Sequence, residues 1–249
     1  LASINSINWG RVLAQVVYYF YSALKVLKHN NLESINFSVP TGNFGDAYAG
    51  YIAKKMGLPI NKIIIATNSN DILSRFFQTG IYKVSKVVPT LSPSMDIQVA
   101  SNFERLLFEC LDFNPSLVTK YMTELSTHGS FEISKEILSE LNKTFIGVGV
   151  NDHITIERIK SCYSEKNIII DPHTSVGLEA ACNSNLEELC IVLSTAHPVK
   201  FSSAVNKAIN ITPSLPNKYK NIFSLKEKYQ SMPNDLNEIK NFISINSSL

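Results

Sequence analysis

Residues 40–46 read Pro-Thr-Gly-Asn-Phe-Gly-Asp and lie between a predicted strand and a predicted helix. The two glycines allow the backbone to turn sharply and to approach a ligand closely. The free N–H groups at the start of the following helix, together with its dipole, suit a phosphate group. We interpret this loop as a candidate phosphate site, with Asp46 suited to the helix N-cap. An ordinary strand-to-helix turn is the alternative, because the spacing matches neither the dinucleotide nor the P-loop pattern.

A second polar group, at residues 5–11, reads Asn-Ser-Ile-Asn-Trp-Gly-Arg and precedes an apolar helical pattern. The guanidinium of Arg11 can bind phosphate or carboxylate oxygens through two parallel hydrogen bonds. The alternative interpretation is that Ser6 or Asn8 caps the helix and that Arg11 is in solvent.

Two further polar segments, 170–177 and 193–201, follow predicted strands. Ligands of open α/β sheets bind beyond the carboxyl ends of the strands. Thr195 can hydrogen-bond a ring nitrogen of a cofactor at that edge, and a strand-end turn with a capping hydroxyl is the alternative. In the segment 170–177, Thr174 or Ser175 can simply be the helix N-cap. The histidines show no spacing typical of metal ligands, and we expect no metal site.

Alternating strands and helices must position these segments. We predict strands at 35–39, 62–66, 144–150, 167–171 and 189–193, and helices at 12–27, 47–56, 71–78, 155–163 and 175–182. This order predicts a doubly wound α/β fold with a mostly parallel sheet flanked by helices. Prolines and helical stretches between 89 and 142 predict an α-rich insertion. The predicted division is 1–88 and 143–205 as α/β parts that build the site, 89–142 as the insertion, and 206–249 as a helical tail.

The composition limits the classes of partner. The 249 residues are 45% apolar, enough for one large or two small domains, and the formal charge of +2 is spread along the chain. An evenly spread charge gives no basic face for nucleic acid, and no apolar run is long enough to span a membrane. The four cysteines lack C-x-x-C spacing. We expect a cytoplasmic protein with free thiols and a small-molecule partner.

Four segments, in this order along the chain, together resemble the longer, fungal and bacterial type of threonine synthase: 5–11, 40–46, 171–174 and 194–198. The stretches 68–73, 91–97 and 101–105 are also similar to that family, so the resemblance extends from about residue 3 to residue 201. Each motif is weak alone, and their joint occurrence in order makes the resemblance specific.

The resemblance implies a fold type II pyridoxal-phosphate enzyme with the tryptophan synthase β-subunit-like fold, which converts O-phospho-L-homoserine and water into L-threonine and phosphate. It implies that the phosphate of the cofactor is held by Gly42, Asn43, Phe44, Gly45 and Asp46. It also implies that Thr195 faces the pyridine nitrogen. The phosphate of the substrate would be held by Asn5, Ser6 and Arg11.

The Schiff-base lysine of that family lies in an N-terminal motif containing Phe-Lys-Asp, which this sequence lacks. The resemblance therefore assigns no catalytic residue here. We expect a fragment that is inactive alone and whose partner is the N-terminal part of the same enzyme. The alternatives are another fold type II lyase, such as a serine or threonine dehydratase, a non-catalytic threonine-synthase-like protein, and a nucleotide-binding module. Arg11 and its neighbours discriminate, because a substrate without a phosphate needs no such group.

Overall fold

The structure, a computed structural model, describes residues 5–247. The strands are β1 (Ile35–Pro40), β2 (Ile60–Thr67), β3 (Ile81–Lys83), β4 (Ser130–Glu132), β5 (Phe145–Gly149) and β6 (Cys190–Val192). The helices are α1 (Trp9–Asn30), α2 (Gly45–Lys55), α3 (Ile72–Thr79), α4 (Phe103–Cys110), α5 (Pro115–His128), α6 (Lys135–Asn142), α7 (Asp152–Lys166), α8 (Pro172–Asn183), α9 (Ser202–Ile209) and α10 (Leu236–Asn246).

A four-stranded sheet in the order β5-β2-β1-β6 forms the centre of residues 5–213, and every pairing within it is parallel. Consecutive isoleucines of β2 point to opposite faces of the sheet, and helices cover both faces. Ile63 and Ile65 pack into the main core, whereas Ile64 packs on the other face against Val176 and Ala180 of α8. The predicted doubly wound α/β fold is therefore confirmed.

Residues 167–171 were predicted as a strand, and that prediction is wrong. Asn167 adopts the left-handed conformation that ends α7, and Asp171 caps α8, so three residues remain between the two caps. Ile168 is more than half exposed, whereas Ile170 packs in a small cluster with Ile159 and Ala208. The isoleucine run is an extended connection that pairs with no strand of the described chain.

The region predicted as an α-rich insertion contains α4, α5 and α6, as expected. It also contains β4, which pairs antiparallel with β3, and neither of these three-residue strands was predicted. Residues 214–247 belong to a second compact unit, in which Asp235 caps α10. The four-part division of the sequence remains a prediction. No helix within residues 5–247 is long and apolar enough to cross a membrane.

Candidate active site

A cavity of about 470 Å³ opens where β1 and β6 end. These strands are parallel neighbours, so their carboxyl ends lie at the same edge of the sheet. The residues lining the cavity come from the start of α1, the loop between β1 and α2, the turn after Pro93, the start of α8 and the segment after β6. They include Ser6, Arg11, Gln15, Tyr18, Gly42, Asn43, Phe44, Gly45, Asp46, Ser94, His173, Ser194, Thr195 and Lys200.

One side of the cavity, which we call the loop wall, consists of residues 42–46. Phe44 adopts a left-handed backbone conformation with φ of 68° and forms the N-cap of α2. Its side chain is buried and packs against Phe103 and Phe145, with ring centroids 5.7 and 5.8 Å away. Asp46 lies inside the first turn and not at the N-cap, so that prediction is wrong. The helix begins at Gly45, two residues earlier than predicted, because Phe44 turns the backbone.

The loop wall lies directly against the turn that contains Ser94. A Cβ atom on Gly42 would lie 2.7 Å from the carbonyl oxygen of Ser94, so glycine permits this close approach. The carbonyl of Asn43 accepts a hydrogen bond of 3.0 Å from the N–H of Asn102. The Asn68 side chain, which follows β2, donates to the carbonyl of Ser92 and to Asp96. The stretches that resembled the family at 68–73, 91–97 and 101–105 thus support the loop wall.

Asp46 is the acidic residue of the loop wall. Burial raises its pKa to about 6, and its Oδ1 atom has no hydrogen-bond partner among the described residues. The hydroxyl of Tyr19 donates to the backbone carbonyl of Asp46 at 2.7 Å. Tyr19 reaches this point because Gly50 of α2 has no Cβ, which would lie 2.6 Å from the tyrosine ring. Burial, and then the nearby Asp46, raise the pKa of Tyr19.

Ser6 and Arg11 line the cavity from the first turn of α1 and the residues before it. Asn102 holds this segment, because its Nδ2 donates to the carbonyl of Ser6 at 2.9 Å. Arg105 donates to Asn102 Oδ1 at 3.0 Å and to the carbonyl of Ile7 at 2.8 Å. The loop wall and the Ser6 segment are therefore joined through one buried asparagine.

The capping interpretation of residues 5–11 is right for Asn8, whose side chain accepts from the N–H of Gly10 at 2.9 Å. Arg11 is exposed to solvent, as that interpretation expects, and it also lines the cavity. Asn5 is not among the residues that line the cavity, and its Oδ1 accepts from the N–H of Ile7 at 3.0 Å.

Another part of the cavity lining, which we call the edge wall, consists of Ser194 and Thr195. Both residues are exposed and follow the three-residue strand β6 at the edge of the sheet. The Ser194 hydroxyl is hydrogen-bonded to the Thr174 hydroxyl, with 3.3 Å between the oxygens. The edge wall thus contacts α8 through polar groups.

Asp171 caps α8, which corrects the prediction that Thr174 or Ser175 would do so. Its carboxylate accepts from the N–H groups of His173 and Thr174, and Pro172 occupies the first turn, where a missing N–H costs nothing. Burial alone would raise the pKa of Asp171, but the hydrogen bonds from His173 and Thr174 together hold it below its usual value.

Several cavity residues were not assigned a role from the sequence: Gln15, Tyr18, Ser94, His173 and Lys200. His173 and Lys200 lie in the two polar segments that follow predicted strands. Neither residue could be assigned a role from the sequence, because no second metal ligand accompanies His173 and no known motif surrounds Lys200. Arg11 and Lys200 give the cavity two basic side chains. Within residues 5–247 there is no cluster of three side chains suited to a metal ion.

Comparison with known proteins relates this site to one family. Residues 174–243 match the family model described as threonine synthase, C-terminal. The chain is 43% identical to a threonine synthase from Pseudomonas aeruginosa, over 98% of this chain and 52% of the relative. A threonine synthase from Saccharomyces cerevisiae has the same identity and coverage.

Among solved structures, a pyridoxal-phosphate-bound threonine synthase from Brucella melitensis matches with a TM-score of 0.90 and 42% identity. The match covers 98% of this chain and 52% of that structure. Nearly the whole chain is therefore similar to threonine synthases, and it spans about half the length of the relatives it matches.

Proposed function

We propose that the cavity binds pyridoxal phosphate and that the chain forms part of a threonine synthase, which converts O-phospho-L-homoserine and water into L-threonine and phosphate. One observation carries the proposal: in a chain 43% identical to a threonine synthase, the glycine loop, Arg11 and Thr195 line a single cavity. These groups are far apart in sequence, so their meeting supports a common ligand.

The residues present fit a phosphate-bearing cofactor. Phe44 cannot cap α2 with its side chain, and the Gly45 N–H donates to Asn43 Oδ1 at 2.9 Å. The next N–H groups of the first turn, those of Asp46 and Ala47, are therefore the ones offered to an anion. Asp46 and Ala47, in that first turn, line the cavity. Burial raises the pKa of Asp46 to about 6, and a bound phosphate would favour its protonated form further, which repels the phosphate less and can donate to it. Gly42, Asn43, Phe44, Gly45 and Asp46 would hold the phosphate, with Phe44 acting through its backbone.

Bound pyridoxal phosphate supplies an electron sink for the removal of protons next to an amino group. Thr195 would face the pyridine nitrogen from the edge wall, while the loop wall holds the other end of the cofactor. A neutral hydroxyl at the ring nitrogen can donate a hydrogen bond, but unlike a carboxylate it does not stabilise a protonated ring.

Arg11 and Ser6 would hold the phosphate of the substrate, which is also the leaving group. A guanidinium binds phosphate oxygens in a fixed, bidentate geometry, and its charge offsets the negative charge that grows as phosphate departs. We include Asn5 in this group as an orienting residue that acts through the Ser6 segment, because it lies beside that segment and not on the cavity surface.

The length of the matched relatives indicates a polypeptide partner. The matched relatives are about twice as long as this chain, so we propose that a polypeptide corresponding to the remaining, N-terminal part of the enzyme completes the site and supplies the Schiff-base lysine. The substrate is a small molecule, nucleic acid and membranes are not partners, and the enzyme acts in the cytoplasm.

Cofactor binding is tested first, by titrating the chain with pyridoxal phosphate and with pyridoxal, which has the same ring without the phosphate. The proposal predicts at least about tenfold tighter binding of the phosphorylated form, since a charge-assisted phosphate contact is worth about 1.5–3 kcal/mol. Equal affinities for both compounds, or binding of neither, would contradict the assignment of the loop wall.

Catalysis is tested by mixing the chain with the part of the Pseudomonas aeruginosa threonine synthase that this chain does not match. Phosphate release from O-phosphohomoserine is the measurement, and each polypeptide alone is the control. Arg11→Gln separates the alternatives, because it should abolish phosphate release if the substrate carries a phosphate. Ammonia release from serine or threonine that does not depend on Arg11 would favour a dehydratase, and a mixture that binds the cofactor without turnover would favour a non-catalytic relative.

A further inference from the structure

The carboxylate of Asp171 makes more hydrogen bonds than a helix cap requires. It is fully buried, and besides the two backbone N–H groups it accepts from His173 Nδ1 at 3.0 Å and from the Thr174 hydroxyl. Capping uses only the backbone bonds. The two side-chain bonds therefore hold His173 and Thr174 in fixed orientations, and each of these residues is hydrogen-bonded to a different segment that lines the cavity.

His173 connects Asp171 to the loop wall. Because Asp171 is held ionised, the Nδ1 atom of the imidazole carries the proton and Nε2 is free to accept. Nε2 lies 3.3 Å from the backbone N of Ser94 and accepts its hydrogen. The Ser94 carbonyl in turn lies against Gly42, so the orientation of the imidazole determines where this turn meets the loop wall.

Thr174 connects the same carboxylate to the edge wall. Its hydroxyl donates to Asp171 and is also hydrogen-bonded to the hydroxyl of Ser194, next to Thr195. β6 is a three-residue edge strand paired on one side only, so few backbone bonds fix the residues that follow it. The Thr174 contact supplies a side-chain link at the point where the backbone ladder has ended.

We infer that Asp171 is a positioning residue that sets the distance between the two ends of the cofactor cavity, acting on the loop wall through His173 and on the edge wall through Thr174. Asp171 does not itself line the cavity, so it acts through its neighbours. The inference rests on the proposed function, because a ligand that spans both walls is what makes their separation matter. Pyridoxal phosphate, with its phosphate at one end and its ring nitrogen at the other, is such a ligand.

The link through His173 and the link through Thr174 are tested separately. For each variant, the affinities for pyridoxal phosphate, pyridoxal and inorganic phosphate are measured. His173→Asn keeps a side-chain donor to Asp171 but removes the acceptor for Ser94, and should weaken both phosphate-bearing ligands. His173→Gln places an amide oxygen near the position of Nε2 and should restore them. Thr174→Ala should weaken pyridoxal phosphate and pyridoxal and leave inorganic phosphate unchanged. Asp171→Asn should weaken all three ligands, by about tenfold for pyridoxal phosphate.

Ser175→Ala is the matched control, since the Ser175 hydroxyl is equally buried in the same turn of α8 but donates to the carbonyl of Thr155, away from the cavity. It should leave all three affinities unchanged. A loss of affinity in Ser175→Ala equal to that in Thr174→Ala would overturn the inference, because general destabilisation of α8 would then explain both.

Hydrogen exchange at the Ser94 amide gives a readout that needs no ligand. Exchange should be faster in His173→Asn and near the wild-type rate in His173→Gln. If the wild-type chain binds pyridoxal phosphate while Asp171→Asn binds it equally well, the inference fails and the proposed function stands. If the wild-type chain binds neither pyridoxal phosphate nor inorganic phosphate, the proposed function fails and the inference fails with it.

Discussion

The two walls of the cavity are built in different ways. The loop wall follows β1, in which every residue is buried, and Phe44 fixes it to the aromatic core. The edge wall follows the half-buried strand β6, and its two residues are exposed, with the Ser194 hydroxyl in contact with the Thr174 hydroxyl of α8. Packing of a buried ring supplements the hydrogen bonds of the loop wall, whereas hydrogen bonds alone join the edge wall to α8. Substitutions in the loop wall should therefore change stability and binding together, whereas those in the edge wall should change binding alone.

Phe44→Ala gives the largest expected effect. It removes a buried ring from the aromatic cluster and should lower the free energy of unfolding by about 3–5 kcal/mol. Urea denaturation measures this change. The control is Tyr21→Ala, where the ring is 70% exposed and the expected change is within about 0.5 kcal/mol. A loss of ligand binding by Phe44→Ala with unchanged stability would contradict the view that packing positions the loop wall.

Asp46→Asn tests the electrostatics of the loop wall. Burial raises the pKa of this carboxyl from the usual 3.8 to about 6, so the folded state holds the proton more tightly than the unfolded state does. The Asp46 contribution therefore favours folding at low pH and is lost as the pH rises from about 4 to about 6. At about 1.4 kcal/mol per pKa unit, the loss is about 3 kcal/mol.

The Asp46→Asn variant lacks this pH dependence, because an asparagine side chain does not titrate. The free energy of unfolding of Asp46→Asn, compared with that of the wild type, should rise by about 3 kcal/mol between pH 4 and pH 7. Denaturation at several pH values measures the difference. If the free energies of unfolding of the two proteins changed equally with pH, the pKa of Asp46 would be the same in the folded and unfolded states, and the prediction would be wrong.

Gly42→Ala tests the close approach between the loop wall and the Ser94 turn. The added methyl would meet a backbone carbonyl at 2.7 Å, so the turn must shift, at a cost of about 1–3 kcal/mol in stability. Affinity for pyridoxal phosphate should fall as well. Gly149→Ala in β5 is the control, because its nearest atom would lie 3.6 Å away, an ordinary contact. Equal changes of stability and affinity in the two variants would contradict the claim that the close approach at position 42 requires glycine.

Thr195→Val gives the smallest expected effect and sharpens the contrast between the walls. The residue is exposed, so the free energy of unfolding should stay within about 0.5 kcal/mol of the wild type. Loss of one hydrogen bond to the ring nitrogen should cost about 0.5–1.5 kcal/mol of binding free energy for pyridoxal phosphate. Calorimetric titration and thermal unfolding give the two quantities. A destabilised variant would mean that the edge wall also depends on packing.

The alternating order of elements and the cavity's main segments could be predicted from the sequence, because their apolar periodicity and polar loops are local signals. The segment 167–171 could not, because an isoleucine run does not reveal whether a partner strand is available. The N-cap of α2 was misplaced by two residues, since the left-handed backbone of Phe44 results from burial of its ring in the tertiary structure. The contact of His173 with Asp171 is local, but its contact with Ser94 joins residues 79 apart in the sequence and could not be predicted.

The pairing of β1 with β6 also affects the order of folding. The side chain of Asn36 donates to the carbonyl of Glu188, a contact that spans 152 residues. Contacts of such high sequence separation form late, because the chain must lose loop-closure entropy before they contribute any stability. The edge wall can thus join the loop wall only after the intervening helices and strands have collapsed. A ligand that needs both walls binds the completed domain alone, and its binding kinetics would report the last step of folding.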